Sequence, residues 1–186
     1  MRFFLDTEWA DTLGSELVSL ALVAEDGEFF YAERDTLPEH PTDFVRQVVY
    51  RQLDRGPAAR TDEAMTQGAR AFLVRERSPV IYSDYANDLQ LLQYVLAGFD
   101  LSEAEVSACG PVPAAMVTEV IHDKVTLTLV EAYFEAHPHV RARRHHALVD
   151  AEALRQASLV STGRTPCPPW AVHTMRRLVR APNKSG

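Results

Sequence analysis

Residues 2–9 read Arg2-Phe3-Phe4-Leu5-Asp6-Thr7-Glu8-Trp9, an apolar run that stops abruptly in two acids. The apolar part predicts a buried strand. Because residues two apart in a strand point to the same face, the carboxylates of Asp6 and Glu8 project together from its end. Two such charges repel and raise each other's pKa unless a cation lies between them. The alternative is a polar strand end that runs into a turn. Further acids elsewhere in the chain favour the cation site over this alternative.

The strands that follow predict a sheet built around this stretch. An Asp26-Gly27 pair lies between two apolar runs and favours a tight hairpin, so the first three strands form an antiparallel meander. A short apolar run after Pro79 is typical of a buried central strand. The predicted strands cover residues 3–5, 16–24, 29–33, 79–84 and 116–121.

Apolar residues at helical spacing separate and follow the later strands. The predicted helices cover residues 42–53, 61–77, 87–98, 126–136, 145–160 and 170–180. Residues 100–113 contain a glycine and two prolines and are predicted to be irregular. Strands first, then helices around a further central strand, predict an α/β fold with a mixed sheet flanked by helices. We expect a single domain over residues 1–186, with residues 181–186 as a disordered tail.

Composition and charge exclude several classes of protein. The 186 residues are 46% hydrophobic and 24% charged, with a net charge of −7. No apolar run approaches the ~20 residues that span a bilayer, and no leader sequence is recognisable, so we expect a soluble, cytoplasmic protein with no membrane partner. The acidic balance argues against a broad basic face that coats nucleic acid. Cys109 and Cys167, without C-x-x-C spacing, argue against a disulfide framework or a structural zinc site.

Two further acids stand where elements end or begin. Asp88 opens a helix just after the central strand, and Asp150 lies in the first turns of a late helix. Strand ends and helix starts gather at one edge of such a sheet. Carboxylates suit Mg²⁺ or Mn²⁺, and two such ions ~3.5–4 Å apart stabilise both oxygens of a phosphodiester cleavage. We therefore expect Asp6, Glu8, Asp88 and Asp150 to hold two divalent cations.

His145 is the candidate general base. It precedes Asp150 by five residues, so it lies either on a neighbouring helix face or on the preceding loop. A neutral imidazole can take a proton from water at neutral pH. His146 competes for the same role, and a purely structural histidine is the alternative to both.

These residues resemble the three motifs of the DEDDh exonuclease superfamily. The motifs are D-T-E at residues 6–8, D-x-x-x-D ending at Asp88, and H-x-x-x-x-D from His145 to Asp150. The opening residues and HHALVDA at 145–151 are similar to small bacterial exoribonucleases of the RNase AS type. The resemblance implies a ribonuclease-H-like sheet with parallel central strands. It also implies hydrolysis of single-stranded RNA from the 3′ end to nucleoside monophosphates with two metal ions.

The resemblance also implies roles for residues beside the acids. Asp6, Glu8, Asp88 and Asp150 would be the metal ligands, and His145 the base. The backbone of Thr7 would face the terminal sugar, and Glu16 would contact the terminal nucleotide. Trp9 falls where an aromatic ring stacks on the terminal base, although a core tryptophan is an equal alternative.

Asp84 departs from the family pattern, which usually has asparagine there. It adds charge to the site, or replaces Asp88 as the ligand. Arg144, with Arg141 and Arg143, could meet phosphate entering the cleft, since guanidinium pairs well with phosphate; a solvated loop is the alternative.

Two other functions remain open from the sequence. One is the same chemistry on single-stranded DNA, because contact with the 2′-OH is invisible in sequence. The other is a non-catalytic binding or interaction module on the same fold. A homodimer is also expected from the resemblance, with exposed apolar residues of the last helix as its interface. These residues are Trp170, Val172, Met175 and Leu178.

Overall fold

A six-stranded mixed sheet forms the centre of the molecule, in the order β4-β3-β2-β1-β5-β6. The structure is a computed structural model that describes the backbone of residues 1–180 and the side chains of residues 1–178. The strands are β1 (Arg2–Trp9), β2 (Leu17–Ala24), β3 (Phe29–Arg34), β4 (Ala59–Arg60), β5 (Val80–Ser83) and β6 (Val117–Val120). The first three strands are antiparallel, whereas β1, β5 and β6 are mutually parallel. The predicted α/β fold is confirmed, and its arrangement is ribonuclease-H-like.

Helices cover both faces of this sheet. They are α1 (Tyr50–Gln52), α2 (Asp62–Leu73), α3 (Ala86–Ala97), α4 (Glu103–Ala108), α5 (Lys124–Ala136), α6 (Pro138–Arg141), α7 (Ala147–Ser161) and α8 (Pro169–Arg180). A π-helix at Val45–Val49 leads directly into α1, and the two together occupy most of the helix predicted at 42–53. The predicted tail, residues 181–186, lies outside the described residues.

Two of the helix predictions were wrong in detail. The segment 100–113 is not wholly irregular, because it contains α4. A capping box explains this helix: the Ser102 hydroxyl accepts from the backbone N–H of Glu105, whose carboxylate accepts from the N–H of Ser102 at 2.8 Å. Helix α2 ends at Leu73 and not near Arg77, because the polar residues after the exposed Val74 offer no apolar face to bury.

Strand β1 contributes to two separate apolar cores. Phe3 and Leu5 pack on one face of the sheet with the apolar residues of α2 and α3. Phe4 packs on the other face with α5 and α7. This alternation follows from the period of two in a strand. Asp6 and Glu8 share the parity of Phe4 and therefore point to the side of α7, whereas Thr7 points to the side of α3.

The last helix packs more closely on its own chain than the sequence suggested. Trp170 and Met175 are partly buried against the core that contains Phe4. The ring centroid of Trp170 lies 5.3 Å from that of Tyr133 in an edge-to-face contact. The expectation that these two side chains form an exposed apolar face was wrong, and the homodimer stays a prediction. Within residues 1–180, no helix combines the length and apolar character that crossing a membrane requires.

Candidate metal centre

All five residues predicted to carry the chemistry line a single cavity of about 320 Å³. This cavity lies where β1 ends, and the pairing register of β1 with β2 shifts between Glu8 and Trp9 at the same place. Such irregularities bend a strand and re-aim its side chains. Asp6 and Glu8 come from β1, Asp88 from the first turn of α3, and Asp150 from the first turn of α7. The carboxylates thus converge from both faces of the sheet.

Asp88 is the most rigidly held of the four acids. Its side chain is buried, its Oδ1 accepts a hydrogen bond from the Thr7 hydroxyl at 2.7 Å, and its Oδ2 accepts one from the Ser83 hydroxyl at 2.6 Å. Thr7 reaches Asp88 because it points to the α3 side of β1. The sequence analysis assigned the Thr7 backbone to substrate, and the structure adds this side-chain role.

Asp150 and His145 are tied together through the backbone. The N–H of His145 donates to Asp150 Oδ2 at 2.8 Å. His145 lies on the loop before α7, as one of the two sequence interpretations expected, and adopts a left-handed backbone with φ of 69°. Burial, followed by the positive charge of Arg144, lowers the pKa of the imidazole. His145 is therefore neutral at pH 7, as a base must be.

Burial, with repulsion between neighbouring carboxylates, raises the pKa of each of the four predicted metal ligands. The pKa of Asp6 lies well above its usual value, first because of burial and then because of Asp88 and Asp150. Burial raises the pKa of Glu8 to about 8, of Asp150 to about 7 and of Asp88 to about 6. At neutral pH the site therefore retains protons, and a cation that binds there must displace them.

Two buried carboxylate oxygens have no hydrogen-bond partner among the described residues, Asp6 Oδ2 and Asp150 Oδ1. Buried polar atoms are almost always paired, so unpaired ones need a partner of another kind. Asp6 and Asp150 belong to two different groups of ligand atoms, and the atoms within each group lie within 4.8 Å of one another. One group is Asp6, Asp84 and Asp88; the other is Glu8, His145 and Asp150. Oxygen donors in two adjoining groups fit a pair of hard divalent cations.

Asp84 is therefore an addition to the acid cluster and need not replace Asp88. Its exposed carboxylate offers an oxygen to the same group as Asp6 and the buried Asp88. This placement agrees with the first sequence alternative, in which Asp84 adds charge to the site. The geometry lets both of its acids reach the same position.

Aromatic side chains form the rim of the cavity, and two of them escaped the sequence analysis. The rings of Trp9 and Tyr85 are stacked, with centroids 5.7 Å apart and planes at 17°. Trp9 also packs partly against the α2 and α3 core, as the core interpretation expected, and its stacking on a base stays a prediction. Phe44 is half exposed and meets His145 edge-on, with ring centroids 5.0 Å apart. Its position at the start of a π-helix was not recognisable from apolar spacing.

Three other candidates lie away from the cavity lining of the described chain. Glu16 is exposed in the turn before β2, and Arg144 is paired with Glu131. His146, the rival base, is buried against Tyr31 with ring centroids 4.5 Å apart. The geometry therefore favours His145 over His146.

Comparison of the chain with protein-family models and with curated protein sequences found no match. The likeness to DEDDh exonucleases accordingly remains a resemblance of three motifs, and the fold and the convergence of the acids stand on the structure itself.

Proposed function

We propose that the protein is a metal-dependent 3′-to-5′ exoribonuclease that hydrolyses single-stranded RNA to nucleoside monophosphates. The observation that carries the proposal is the convergence of four acids and one histidine on a cavity where two carboxylate oxygens have no hydrogen-bond partner among residues 1–178. A binding module would gain nothing from holding repelling carboxylates together out of water.

The acids would hold two divalent cations, Mg²⁺ or Mn²⁺, in the two ligand groups described above. Bound there, the cations supply charge neutralisation at the scissile phosphate and activation of water. Asp6, Asp84 and Asp88 form one half of the ligand set; Glu8 and Asp150 form the other. Thr7 and Ser83 orient Asp88 by donating to both of its oxygens.

His145 would act as the general base. Its imidazole lines the cavity beside Glu8 and Asp150, and its lowered pKa leaves it able to accept a proton at pH 7. The Phe44 ring packs against the imidazole edge-on and limits its rotation. His145 would therefore take the proton of the attacking water.

The stacked pair of Trp9 and Tyr85 would hold the terminal base. Tyr85 is 58% exposed, and both rings line the cavity, so a flat apolar surface is open to a ligand. Base stacking on aromatic rings tolerates any base. The proposal therefore includes no base preference.

Matched RNA and DNA oligonucleotides labelled at the 5′ end test the reaction. We expect a ladder of progressively shorter RNA products with Mg²⁺ or Mn²⁺, no products in EDTA, and slower loss of DNA. Faster loss of DNA would change the substrate to single-stranded DNA. The absence of degradation with either metal, together with retained oligonucleotide binding, would identify a non-catalytic module.

Loss of the aromatic surface should weaken substrate binding. We expect Tyr85→Leu and Trp9→Leu each to raise KM by about 5- to 150-fold, because stacking contributes ~1–3 kcal/mol per base. The measurement is a steady-state titration with a short RNA, and kcat should change less than KM. Phe29→Leu is a matched control, since Phe29 is equally exposed at 57% but lies on β3 outside the cavity. An unchanged KM in both variants would contradict the stacking role.

A further inference from the structure

The loop that carries His145 has a conformation that its surroundings must maintain. His145 has a φ of 69°, in the left-handed region that L-residues other than glycine rarely adopt. Such conformations persist only where neighbouring contacts hold them. The backbone bond from His145 to Asp150 is one such contact, but it fixes only the end of the loop. Arg143 and Arg144, the two residues before His145, provide further contacts.

Arg144 ties one side of the loop to helix α5. Its guanidinium makes two parallel hydrogen bonds to Glu131, at 2.9 Å and 2.6 Å. It also lies over the ring of Phe134, with 4.9 Å from the guanidinium carbon to the ring centroid. Phe134 is a fully buried core residue. The guanidinium plane of Arg144 is thereby fixed, because Glu131 binds its edge and the Phe134 ring packs on its face.

Arg143 ties the other side of the loop to the segment after α1. It donates to Asp54 at 2.6 Å, and the Gln52 side chain donates to the carbonyl of Ala142 at 2.9 Å. Asp54 is itself fixed, because its backbone N–H donates to the fully buried carboxylate of Glu33 at 2.6 Å. This second attachment therefore reaches the sheet.

We propose that Arg143 and Arg144 are positioning residues that hold His145 over the acids from two sides, and that neither is a phosphate ligand. The role in catalysis rests on the function proposed above. The Arg144 fork is occupied by a carboxylate of its own chain and is not part of the cavity lining of the described residues. Arginine is suited to this task because its bidentate geometry fixes direction as well as distance.

Glu131→Gln tests the anchor without removing any arginine. Exposed ion pairs contribute little to global stability, so the variant should fold and melt like the wild type. The freed loop should be cut by trypsin after Arg143 and Arg144 several-fold faster than in the wild type, as measured by mass spectrometry without metal. Glu135→Gln is the matched control, because Glu135 is exposed one turn further along α5 and has no ion pair among the described residues.

Kinetics separate positioning from phosphate binding. We expect Glu131→Gln and Arg144→Gln each to lower kcat by about 10- to 100-fold with little change in KM, because a small misplacement of a catalytic group has that effect. The double variant should be no slower than either single variant, since both remove the same contact. If Arg144 bound phosphate, Arg144→Gln would raise KM whereas Glu131→Gln would not.

Either of two results would overturn the proposal: an unchanged rate of tryptic cleavage in Glu131→Gln, or faster cleavage with an unchanged kcat. The cleavage assay needs neither substrate nor metal. It therefore tests the anchor even if the protein proves to have no nuclease activity, and the two failures can be told apart.

Discussion

Asp6→Asn and Asp150→Asn should each lower metal-dependent nuclease activity by about 10³-fold or more. Each variant removes a carboxylate with an unpaired buried oxygen, one from each ligand group. Metal ions supply several kcal/mol of transition-state stabilisation, and ~4 kcal/mol corresponds to about 10³-fold in rate. The measurement is the initial rate of RNA degradation with saturating Mn²⁺, with circular dichroism to confirm that the fold is intact.

The control for these variants is Glu135→Gln, which also removes one acidic charge but is not among the described residues that line the cavity. It should retain wild-type activity.

Asp84→Asn tests the additional acid of the cluster, because Asp84 is exposed whereas its partner Asp88 is buried. A smaller loss in Asp84→Asn than in Asp88→Asn would make Asp84 an auxiliary ligand. Undiminished activity in Asp6→Asn would refute the metal site outright.

In the absence of divalent cations, the free energy of unfolding should fall as the pH rises from about 4 to about 8. In the folded protein the pKa values of Asp88, Asp150 and Glu8 are raised to about 6, about 7 and about 8. The folded state therefore holds more protons than the unfolded state in this window, and its free energy of unfolding falls with increasing pH. A loss of ~3 kcal/mol would lower Tm by about 6–12 °C in a chain of this size.

Thermal melts in EDTA across this pH range provide the test, and Asp6→Asn provides the reference. Because burial raises the pKa of Asp6 well above its usual value, replacing the carboxylate with an amide should remove the cost of burying its charge and raise Tm at pH 8 in EDTA. Mn²⁺ at about 100 times its Kd should stabilise the wild type by ~2.7 kcal/mol, and by less at pH 6, where protons compete. Identical pH profiles for the two proteins would show that Asp6 does not contribute to the effect, and a wild-type Tm in EDTA that does not fall between about pH 4 and about pH 8 would contradict the role of the other carboxylates.

The sequence predicted the acids better than it predicted their surroundings. Asp6 and Glu8 follow from the period of a strand, and Asp88 and Asp150 from helix starts at the edge of a sheet. The capping box of Ser102 and Glu105 was also present in the sequence, although the glycine and prolines around it obscured α4. These features depend on local spacing, which a single sequence records.

The rest of the site depends on contacts between distant segments. Tyr85 stacks on Trp9, and Phe44 meets His145, across 76 and 101 positions of the chain respectively, which no periodicity encodes. Arg144 looked available to phosphate because Glu131 lies thirteen residues earlier on another helix. The left-handed conformation of His145 is likewise uncommon for a residue other than glycine, and no local pattern of the sequence predicts it.

Because β1 contributes to two cores, the geometry of the site depends on the packing of both layers of the domain. Asp88 is placed by the core on one face, which contains Leu5, whereas Asp150 is placed by α7 on the other face, which packs on Phe4. If either layer detaches in a partial opening, the strand keeps Asp6 and Glu8 but loses half of their partners. The proposed nuclease activity would then be lost while much of the secondary structure persists. An activity assay would therefore detect a partial opening that circular dichroism, which averages over the whole chain, does not.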